Sequence, residues 1–506
     1  MRASSPAPPL VWASFVREVL AKSGLPIVLS LALLLRLQPV LAVPSAVWAD
    51  EIFQTAEPAH RLVFGNGLVP WEFQLGVRSW LLPGVIAGLM ELSRLAGDGP
   101  DYYLPVIAVA FAGLAAVPVA CTFLWCRPLF GGGTALLAAL ASAVAAEPVY
   151  FGARTLSETV AAHLLVLALY MSEPVPSAGS RRREFAAGAL AGLVLVLRVQ
   201  LAPALVVAML WTLWRADRRR ISAALAGGAA VLTAAGILDA LTLGYPFASL
   251  WRYVLYNGWY GVSAAFGVEP WPYYVLGELG LWGGAGTTML LLAAIGAWRK
   301  PLLLAVAIIV LAVHSGVGHK EYRFIYPAVA LLTVLAAIGL AQMARWGRDW
   351  LVARGVGHRP AVVVSTGFAA LWWGAASLQV WNGTTLAAYR QRAHDTLLSA
   401  DAVAHGPPPC GIGLYGMNGE DWEFYGGYTH FHRQAPLYWP KDETALASAA
   451  DAFDTLLYTR PPPATLGFTT TQCVGEVCIA RRAGGCRPAP MTSLPFPAPL
   501  TALEAR

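Results

Sequence analysis

Charged residues are scarce in this sequence, and several motifs of soluble enzymes are missing from it. Only 13% of the 506 residues are charged, about half the usual share in soluble domains, whereas 57% are hydrophobic. The sequence has no Gly-rich loop ending in Gly-Lys-Ser/Thr and no His-Glu-x-x-His run. It also lacks a basic patch interleaved with aromatic residues. These absences argue against a soluble protein, direct use of a cytoplasmic nucleotide, and nucleic-acid binding.

Cysteines are few, and internal repeats are absent. Of the six cysteines, Cys121 and Cys126 lie at the end of an apolar run and are expected to be structural. An oxidising compartment would allow the other four to form disulfides in any of three pairings, with a zinc site as the alternative. These four lie near the C-terminus: Cys410, Cys473, Cys478 and Cys486.

Long apolar runs fill most of the chain up to residue 381. Runs approaching or exceeding about 18 residues predict membrane-spanning helices. The first run also resembles a signal peptide cleaved after Ala49, but about 24 residues precede it, which favours a retained helix. We therefore predict an all-α polytopic membrane protein with about eleven spans, of which 203–214 is short: 25–44, 103–125, 133–149, 157–172, 185–200, 203–214, 222–243, 274–297, 301–317, 324–343 and 361–381.

Lys and Arg are concentrated on alternate segments between these spans. If the N-terminus is cytoplasmic, the runs RRRE and RADRRR both fall inside, as the positive-inside rule requires. The same orientation places 45–102, 244–273 and the chain after 382 outside. It also places ARTLSE (153–158) and HKEYRF (319–324) there. The prominent polar residues are therefore expected to meet at one face of the membrane.

The last 125 residues differ in composition from the rest. Residues 382–506 are rich in Pro, Gly and aromatic residues and contain no spanning run. CGIGLYG, DTLLYT and VCIARR are typical of short strands. We predict a transmembrane catalytic domain over 1–381, with a first external loop at 45–102, and a small C-terminal α/β extracytoplasmic domain over 382–506.

The first external loop begins with an acidic pair, Asp50 and Glu51. Carboxylates that face a cavity at the membrane surface suit general-base work, and partial burial would raise their pKa toward the working pH. The alternative is that the pair only caps a surface helix. Four more polar residues follow, the first two of them one helical turn apart: Glu57, His60, Glu72 and Arg78.

Two other outer segments carry polar side chains. Arg154 and Glu158 are spaced i, i+4, which predicts a capped helix with a local ion pair, or a substrate contact. The loop around Asn257 is rich in Trp and Tyr, whose faces stack on sugar rings but also form interfacial belts. Neither segment decides between its two interpretations.

The run HKEYRF places four ionisable groups between two apolar spans. Charges at membrane depth are costly and usually face a cavity or a partner. Lys320 and Arg323 can donate to a phosphate, Glu321 can orient them, and His319 can donate to a phosphate or a hydroxyl. We favour an anionic headgroup site over an anchor loop with snorkelling side chains.

These motifs resemble those of one known family. DEIFQTAEPAH…FGNGLVPWEF…RSWLLPG (50–84) and HKEYRFIYP (319–327) are similar to the family 22 glycosyltransferases. Those are the GT-C-fold mannosyltransferases of the Alg9, Alg12 and GPI-mannosyltransferase type. RTLSE (154–158) and FYGGYTHFHRQAPLY (424–438) are also similar to what that family carries. The resemblance covers about 45–440, and the Ala-, Arg- and Gly-rich composition suggests a bacterial member.

The resemblance implies a reaction. Family members transfer sugar from a lipid phosphate, usually dolichyl-phosphate mannose, on the non-cytoplasmic side, and they invert the anomeric carbon in a single displacement. By resemblance, Asp50 is the general base for the acceptor hydroxyl, with Glu51 beside it. His319, Lys320 and Arg323 would stabilise charge on the departing phosphate.

We therefore expect an inverting glycosyltransferase that moves a sugar, most simply mannose, from a polyprenyl- or dolichyl-phosphate donor to a glycan or glycolipid acceptor. A transporter or flippase of lipid-linked sugars is the alternative. We expect no cofactor, no required metal and no nucleic-acid partner, although Asp50, Glu51 and Glu57 could hold a divalent ion. The expected site is a bacterial inner membrane, or the endoplasmic reticulum in a eukaryote. Other predicted substrate contacts are Glu57, His60, Glu72, Arg78, Arg154, Glu321 and Asn257.

Overall fold

The structure is a computed structural model of the chain. It describes residues 24–173, 181–215, 217–416, 421–484, 486, 487 and 500. Up to Trp381 the described chain is a bundle of α-helices, and a small mixed sheet follows. This confirms the predicted fold class, a helical membrane protein with a C-terminal α/β unit.

Helices α1 to α18 build the bundle and the loops at its ends. In chain order they are α1 Leu25–Leu37, α2 Glu57–Phe64, α3 Trp71–Gln74, α4 Leu81–Ser93, α5 Pro100–Ala115, α6 Val117–Phe130, α7 Gly132–Val144, α8 Ala146–Phe151, α9 Ser157–Ser172, α10 Arg181–Leu197, α11 Ala202–Arg215, α12 Arg218–Leu243, α13 Ala248–Tyr253, α14 Tyr273–Trp282, α15 Gly286–Ala297, α16 Pro301–Gly316, α17 Tyr326–Ala353 and α18 His358–Trp381. The C-terminal part adds α19 Thr384–Gln391, α20 His394–His405, α21 Gly427–Phe431 and α22 Glu443–Ala449.

Apolar helices of membrane-spanning composition match the predicted spans closely. Among the described residues, six are long enough to cross a membrane, and five more apolar helices of 10–17 residues accompany them. One of the five, Leu81–Ser93, lies within the stretch predicted as the first external loop. It was missed because its 13 residues are too short for a span. The run 185–200 is helical as predicted, within Arg181–Leu197.

Helix α17 forms the centre of the bundle. In the most apolar 18-residue stretch of the segment Tyr322–Ala353, 94% of the residues are buried. Its contact with α15 is close because glycines face each other's backbone. A Cβ at Gly339 would lie 1.9 Å from the Leu292 carbonyl oxygen, and one at Gly296 would lie 2.0 Å from that of Leu335. Small residues that let helix backbones approach are typical of membrane bundles.

Polar contacts between helix ends fall into two groups. At one end Lys300 Nζ lies 2.7 Å from the Glu173 carboxylate, and Arg183 donates to the Tyr170 carbonyl at 2.6 Å. The other end, called the loop end, holds the end of α1, the starts of α9 and α17, and the end of α10. The polar motifs therefore come together at the loop end.

The C-terminal sheet has five strands in the order β2-β1-β3-β5-β4. Strand β1 is parallel to both β2 and β3, and β5 is antiparallel to β3 and β4. The strands are β1 Ile412–Tyr415, β2 Leu437–Tyr438, β3 Thr455–Tyr458, β4 Thr469–Val474 and β5 Val477–Arg481. The predicted strands in CGIGLYG, DTLLYT and VCIARR are β1, β3 and β5.

Two disulfides cross-link this C-terminal unit. Cys410 pairs with Cys486, and Cys473 pairs with Cys478 across the β4–β5 hairpin. The sequence left three pairings and a zinc site open, and the structure shows one of the pairings. Cys121 and Cys126 are free and buried in the bundle, in agreement with a structural role.

Candidate active site

A cleft opens at the loop end between the first loop, the start of α9, the end of α10 and the start of α17. Its polar lining includes Asp50, Gln54, Arg78, Ser157, Glu158 and Arg323. Apolar side chains, called here the apolar wall, also line it and include Leu81, Leu82, Pro83, Val196, Leu197 and Leu250. A cleft lined by both kinds of side chain suits a ligand that has both a charged and an apolar part.

Asp50 lines this cleft at the point where the chain leaves the first span. Its side chain is 29% exposed, and it forms an ion pair with Arg323. The two residues are 273 positions apart in the sequence. A carboxylate that faces a cleft and is not fully buried can take a proton from a bound hydroxyl. The position that the resemblance assigns to the general base therefore lies in the cleft.

Arg323 is the meeting point of three carboxylates. It lies in the 3₁₀ turn Tyr322–Ile325 just before α17 and is only 3% exposed. Its Nε donates to Glu321 at 2.7 Å, Nη2 pairs with Asp50, and Nη1 lies 3.3 Å from Glu158 Oε1. The planar guanidinium thus holds parts of the first loop, α9 and the α16–α17 connection in one arrangement.

Glu158 and Arg198 form a buried ion pair behind Arg323. Their closest atoms are 3.2 Å apart, and the side chains are 1% and 3% exposed. Arg198 lies at the break after α10, where the backbone is extended with φ −146°. The sequence analysis left Glu158 between a local ion pair with Arg154 and a substrate contact, and it gave Arg198 no role in the site. The available signal was an ionisable residue inside the apolar run 185–200, which commonly marks a buried functional partner.

Glu51 turns away from Asp50 and pairs with Arg154 at 3.4 Å. The Arg154 guanidinium also donates to Ser45 Oγ at 2.7 Å, so the pair fixes the start of the first loop. Burial raises the pKa of Glu51, and Arg154 works against that shift. The predicted i, i+4 pair between Arg154 and Glu158 is absent. The reason is that Leu156 is extended, with ψ 134°, and α9 begins only after it.

Glu72 is a buried carboxyl close to Asp50. Its Oε1 accepts from Gln54 Nε2 at 2.8 Å, and Gln54 itself lines the cleft. Burial and the negative charge of Asp50 raise the pKa of Glu72 to about 7. A buried carboxyl with a strongly raised pKa is typical of functional sites.

Arg78 enters the cleft without an ion pair in the described part of the chain. Its guanidinium carbon lies 5.5 Å from the centre of the Tyr253 ring, and its buried Nε has no hydrogen-bond partner there. An arginine in this situation keeps its donors available for a bound anion.

The other residues of the HKEYRF run brace their own loop. His319 Nε2 lies 3.0 Å from Glu321 Oε1, and its Nδ1 lies 3.0 Å from the Gly267 carbonyl. Burial opposes protonation of His319, but the Glu321 hydrogen bond raises its pKa. Burial alone would raise the pKa of Glu321, but Arg323 and His319 hold it at about 2. Of this run, only Arg323 lines the cleft.

Lys320 is buried, and its ammonium group points at backbone carbonyls. Nζ donates to Glu269 at 2.8 Å and also to Val317 and Gly318. These bonds tie the α16–α17 connection to the loop before α14. The structure therefore separates Lys320 from Arg323, although the sequence analysis predicted a phosphate contact for both.

Glu57 and His60 lie at a different place, called here the tail junction, where the first loop meets α21. Glu57 is fully buried and accepts from the backbone N–H groups of Leu68, Tyr428 and Thr429 at 2.8, 3.0 and 2.9 Å. The Thr429 hydroxyl adds a fourth bond at 2.7 Å. Gly427 has φ +56°, and a Cβ there would meet the Glu57 carboxyl at 2.8 Å.

His60 completes this junction. Its Nε2 lies 3.0 Å from His432 Nδ1, and its Nδ1 lies 2.7 Å from the Asn66 carbonyl. Burial lowers the pKa of His60 to about 4. Neither Glu57 nor His60 lines the cleft. Asn257 is also outside it; its amide donates to the Tyr253 carbonyl at 3.4 Å, whereas Tyr253 itself lines the cleft.

The three carboxylates considered as divalent-ion ligands are not brought together. Asp50 faces Arg323, Glu51 faces Arg154, and Glu57 faces the tail junction. Within the described residues, the groups with metal-ligand spacing lie elsewhere: Cys410, Asp454 and Cys486, and Asp101, Asp401 and His405. The cysteines of the first group are joined in a disulfide.

Sequence comparisons identify the family and several relatives of the chain. A model of the Alg9-like mannosyltransferase family matches residues 27–393. Over 309 residues the chain is 30% identical to GPI mannosyltransferase 3 of Yarrowia lipolytica, with 60% of each chain covered. Over 326 residues it is 26% identical to GPI alpha-1,2-mannosyltransferase 3 of Danio rerio, with 62% of this chain and 59% of the relative covered. The chain thus spans about 60% of the length of these curated relatives.

Comparison with solved structures shows the same architecture. ArnT from Cupriavidus metallidurans, bound to undecaprenyl phosphate, superimposes with a TM-score of 0.56 at 14% identity, covering 92% of this chain and 98% of that one. Its apo form gives 0.55. At this identity the likeness shows the fold alone, a GT-C membrane bundle. Because the family model matches well over half of the sequence, the chain belongs to the Alg9-like mannosyltransferase family.

Proposed function

We propose that this protein transfers mannose from a polyprenyl- or dolichyl-phosphate donor to a mannose-ended glycolipid, with inversion at the anomeric carbon. The observation that carries the proposal is one cleft that combines a partly exposed carboxylate, two arginines and an apolar wall. This combination matches a donor that is half lipid and half charged sugar phosphate.

The donor phosphate is assigned to Arg78 and Arg323. Both line the cleft, and Arg78 has no competing ion pair in the described chain. The polyprenyl chain would lie along the apolar wall toward the membrane. The related fold of ArnT, which was solved with undecaprenyl phosphate, supports a lipid phosphate as the class of donor. Arginine forks match phosphate oxygens and stabilise the charge that develops as the lipid phosphate leaves.

Asp50 is assigned the proton of the acceptor hydroxyl. As that O–H bond breaks toward the carboxylate, the oxygen forms a bond to C1 of mannose from the side opposite the phosphate. The C1–O bond to phosphate breaks, and its electron pair remains on the lipid phosphate. Glu72 is buried, with its pKa raised to about 7, whereas Asp50 is partly exposed and lines the cleft, so Asp50 is the carboxylate assigned as base.

The acceptor is proposed from the relatives. The curated relatives are named GPI alpha-1,2-mannosyltransferases, so a mannose-terminated glycolipid is the acceptor class to test first. We propose that the cleft faces the non-cytoplasmic side, as charge asymmetry of the loops predicts. The membrane would be the endoplasmic reticulum in a eukaryote or the inner membrane in a bacterium.

A transfer assay on the purified full chain tests this proposal. The assay supplies polyprenyl-phosphate mannose with a panel of mannose-ended lipids, and compares the wild type with Asp50→Asn. We expect transfer by the wild type and a loss of at least 10³-fold in the variant, because the hydroxyl proton has no acceptor. Glu173→Gln, at the opposite end of the bundle, is the matched control and should retain activity.

Three other results would each remove one part of the proposal. Equal activity in wild type and Asp50→Asn would exclude Asp50 as the base. Transfer from a different polyprenyl-phosphate sugar, but not from the mannose donor, would exclude mannose. Loss of activity in EDTA that is restored by a divalent ion would overturn the proposed metal-independent neutralisation of phosphate by Arg78 and Arg323.

A further inference from the structure

Glu158 and Arg198 have no part in the reaction as proposed above, yet they are tied to its central arginine. Glu158 Oε1 lies 3.2 Å from Arg198 Nη1 and 3.3 Å from Arg323 Nη1. All three side chains are at most 3% exposed. Burying two arginines against one carboxylate oxygen carries a large desolvation cost. Stability alone therefore does not explain the arrangement.

The three carboxylates around Arg323 differ in how firmly they are held. Glu158 is 1% exposed and is also paired with Arg198, and Glu321 is 24% exposed and bonded to His319. Asp50 is 29% exposed, and its ion pair in the described chain is with Arg323 alone. Asp50 is therefore the partner that can leave most easily.

The two ends of the Arg323 guanidinium have different partners. Nη1 is buried 3.3 Å from Glu158 Oε1, and neither atom makes an aligned hydrogen bond within the described residues. Nη2 pairs with Asp50, and both residues line the cleft, so a phosphate there can take the place of Asp50 on Nη2 while Nη1 stays beside Glu158.

The chemistry of the base requires an exchange at this point. A carboxylate bound to a guanidinium is a weaker base, because the positive charge stabilises its ionised form. A phosphate that binds Arg323 competes with Asp50 and releases it toward the acceptor. The Arg323 guanidinium must stay in place while phosphate replaces Asp50. A carboxylate that remains bound to Arg323 throughout can hold it there.

We propose that Glu158, fixed by Arg198, is a positioning residue that anchors Arg323 while Arg323 exchanges Asp50 for the donor phosphate. This inference rests on the proposed function. Arg198 has a second role, which is to neutralise Glu158 so that its charge does not repel the phosphate. The two residues act through Arg323 and need not touch either substrate.

Steady-state kinetics on the full chain separate these two roles. Glu158→Gln removes the anchor together with its charge, so kcat should fall at least tenfold while donor KM changes less than threefold. Arg198→Ala removes the cation that neutralises Glu158 in addition to Arg323, so donor KM should rise at least tenfold. Arg198→Lys restores the charge and should return KM to within threefold of wild type. Glu173→Gln is again the control.

Some results would overturn the inference. If Glu158→Gln and Arg198→Ala keep wild-type constants, or if both change kcat and KM by the same factors, the pair is only structural. If Glu158→Gln does not fold, Arg198→Lys decides: a donor KM as high as that of Arg198→Ala contradicts the charge role. A wild type that transfers no sugar refutes the proposed function instead, because the variants then have nothing to modify.

Discussion

Asp50 and Glu57 both lie in the first loop, but they differ in exposure and in the groups that hold them. Asp50 in the cleft is partly exposed and is held by a single guanidinium. Glu57 in the tail junction is fully buried, and its two oxygens accept four hydrogen bonds from groups of Leu68, Tyr428 and Thr429.

The difference shows which polar groups are available for chemistry. The donors to Glu57 are mostly backbone N–H groups, and they can leave only if the first loop and α21 separate. The partner of Asp50 is a side chain with other anions around it, so one anion can replace another without any change in the backbone. The tail junction therefore fastens the first loop to α21, whereas the cleft allows one anion to replace another at Arg323.

The strongest test of this contrast is Glu57→Ala. Removing the carboxylate leaves three backbone donors and one hydroxyl buried without partners, so we expect a loss of about 3–5 kcal/mol in stability. The loss should appear as a lower unfolding midpoint in detergent. Residual folded protein should show donor and acceptor KM values close to those of wild type.

Glu91→Gln is the control for Glu57. Glu91 is exposed and forms an i, i+3 ion pair with Arg94 at 3.0 Å, so its loss should change stability by less than about 1 kcal/mol. The contrast between the two regions fails if Glu57→Ala keeps its unfolding midpoint but raises acceptor KM. That result would restore the substrate contact predicted for Glu57 from the sequence.

A smaller effect is expected for the cations, where Arg78 and Lys320 are the pair to compare. Arg78→Ala should lower kcat/KM for the donor about 100-fold, equivalent to about 2.7 kcal/mol, because a phosphate contact is lost. Lys320→Met should lower the unfolding midpoint, because three carbonyls lose their donor. A selective rise in donor KM for Lys320→Met, with none for Arg78→Ala, would reverse the assignment.

Sequence patterns predicted the helices well because hydropathy is a local property. The spans, the strands β1, β3 and β5, and the convergence of the polar motifs all follow from runs of residues read in order. The pairing of Glu158 with Arg198 was missed because it joins α9 to the end of α10, and no local pattern reports it. The orientation of Lys320 was equally hidden, since its acceptors depend on how the loop before α14 folds back.

The Arg154–Glu158 pair shows how one backbone angle can change a local prediction. A spacing of i, i+4 brings two side chains together only if the helix is continuous. Here Leu156 is extended, so Arg154 points to Glu51 and Glu158 points to Arg198 and Arg323. One non-helical residue therefore divides a predicted local pair between the anchor of the first loop and the cleft.

The smallest expected effect concerns pH and the tail junction. His60 has a pKa of about 4 in the folded protein, below its ordinary value of 6.5, because it is buried. Between these values the unfolded chain binds a proton that the folded chain does not, so stability falls as the pH drops through this window. From pH 7 to pH 5 the loss is about 2 kcal/mol for this group. It should appear as a lower unfolding midpoint at pH 5.

Variants show whether His60 causes this fall. His60→Gln keeps a polar group beside His432 but cannot gain a charge, so the midpoints at pH 7 and pH 5 should lie closer together than in the wild type. His405→Gln is the control. The hydrogen bond to Asp101 raises the pKa of the exposed His405, so protonation of His405 on acidification does not destabilise the folded protein. An unchanged pH slope in His60→Gln would mean that protonation elsewhere, with His432 the nearest candidate, loosens the contact between the first loop and α21. The pH dependence of the unfolding midpoint would then have to be measured in cleft variants as well, to show whether the cleft and the tail junction respond to pH separately.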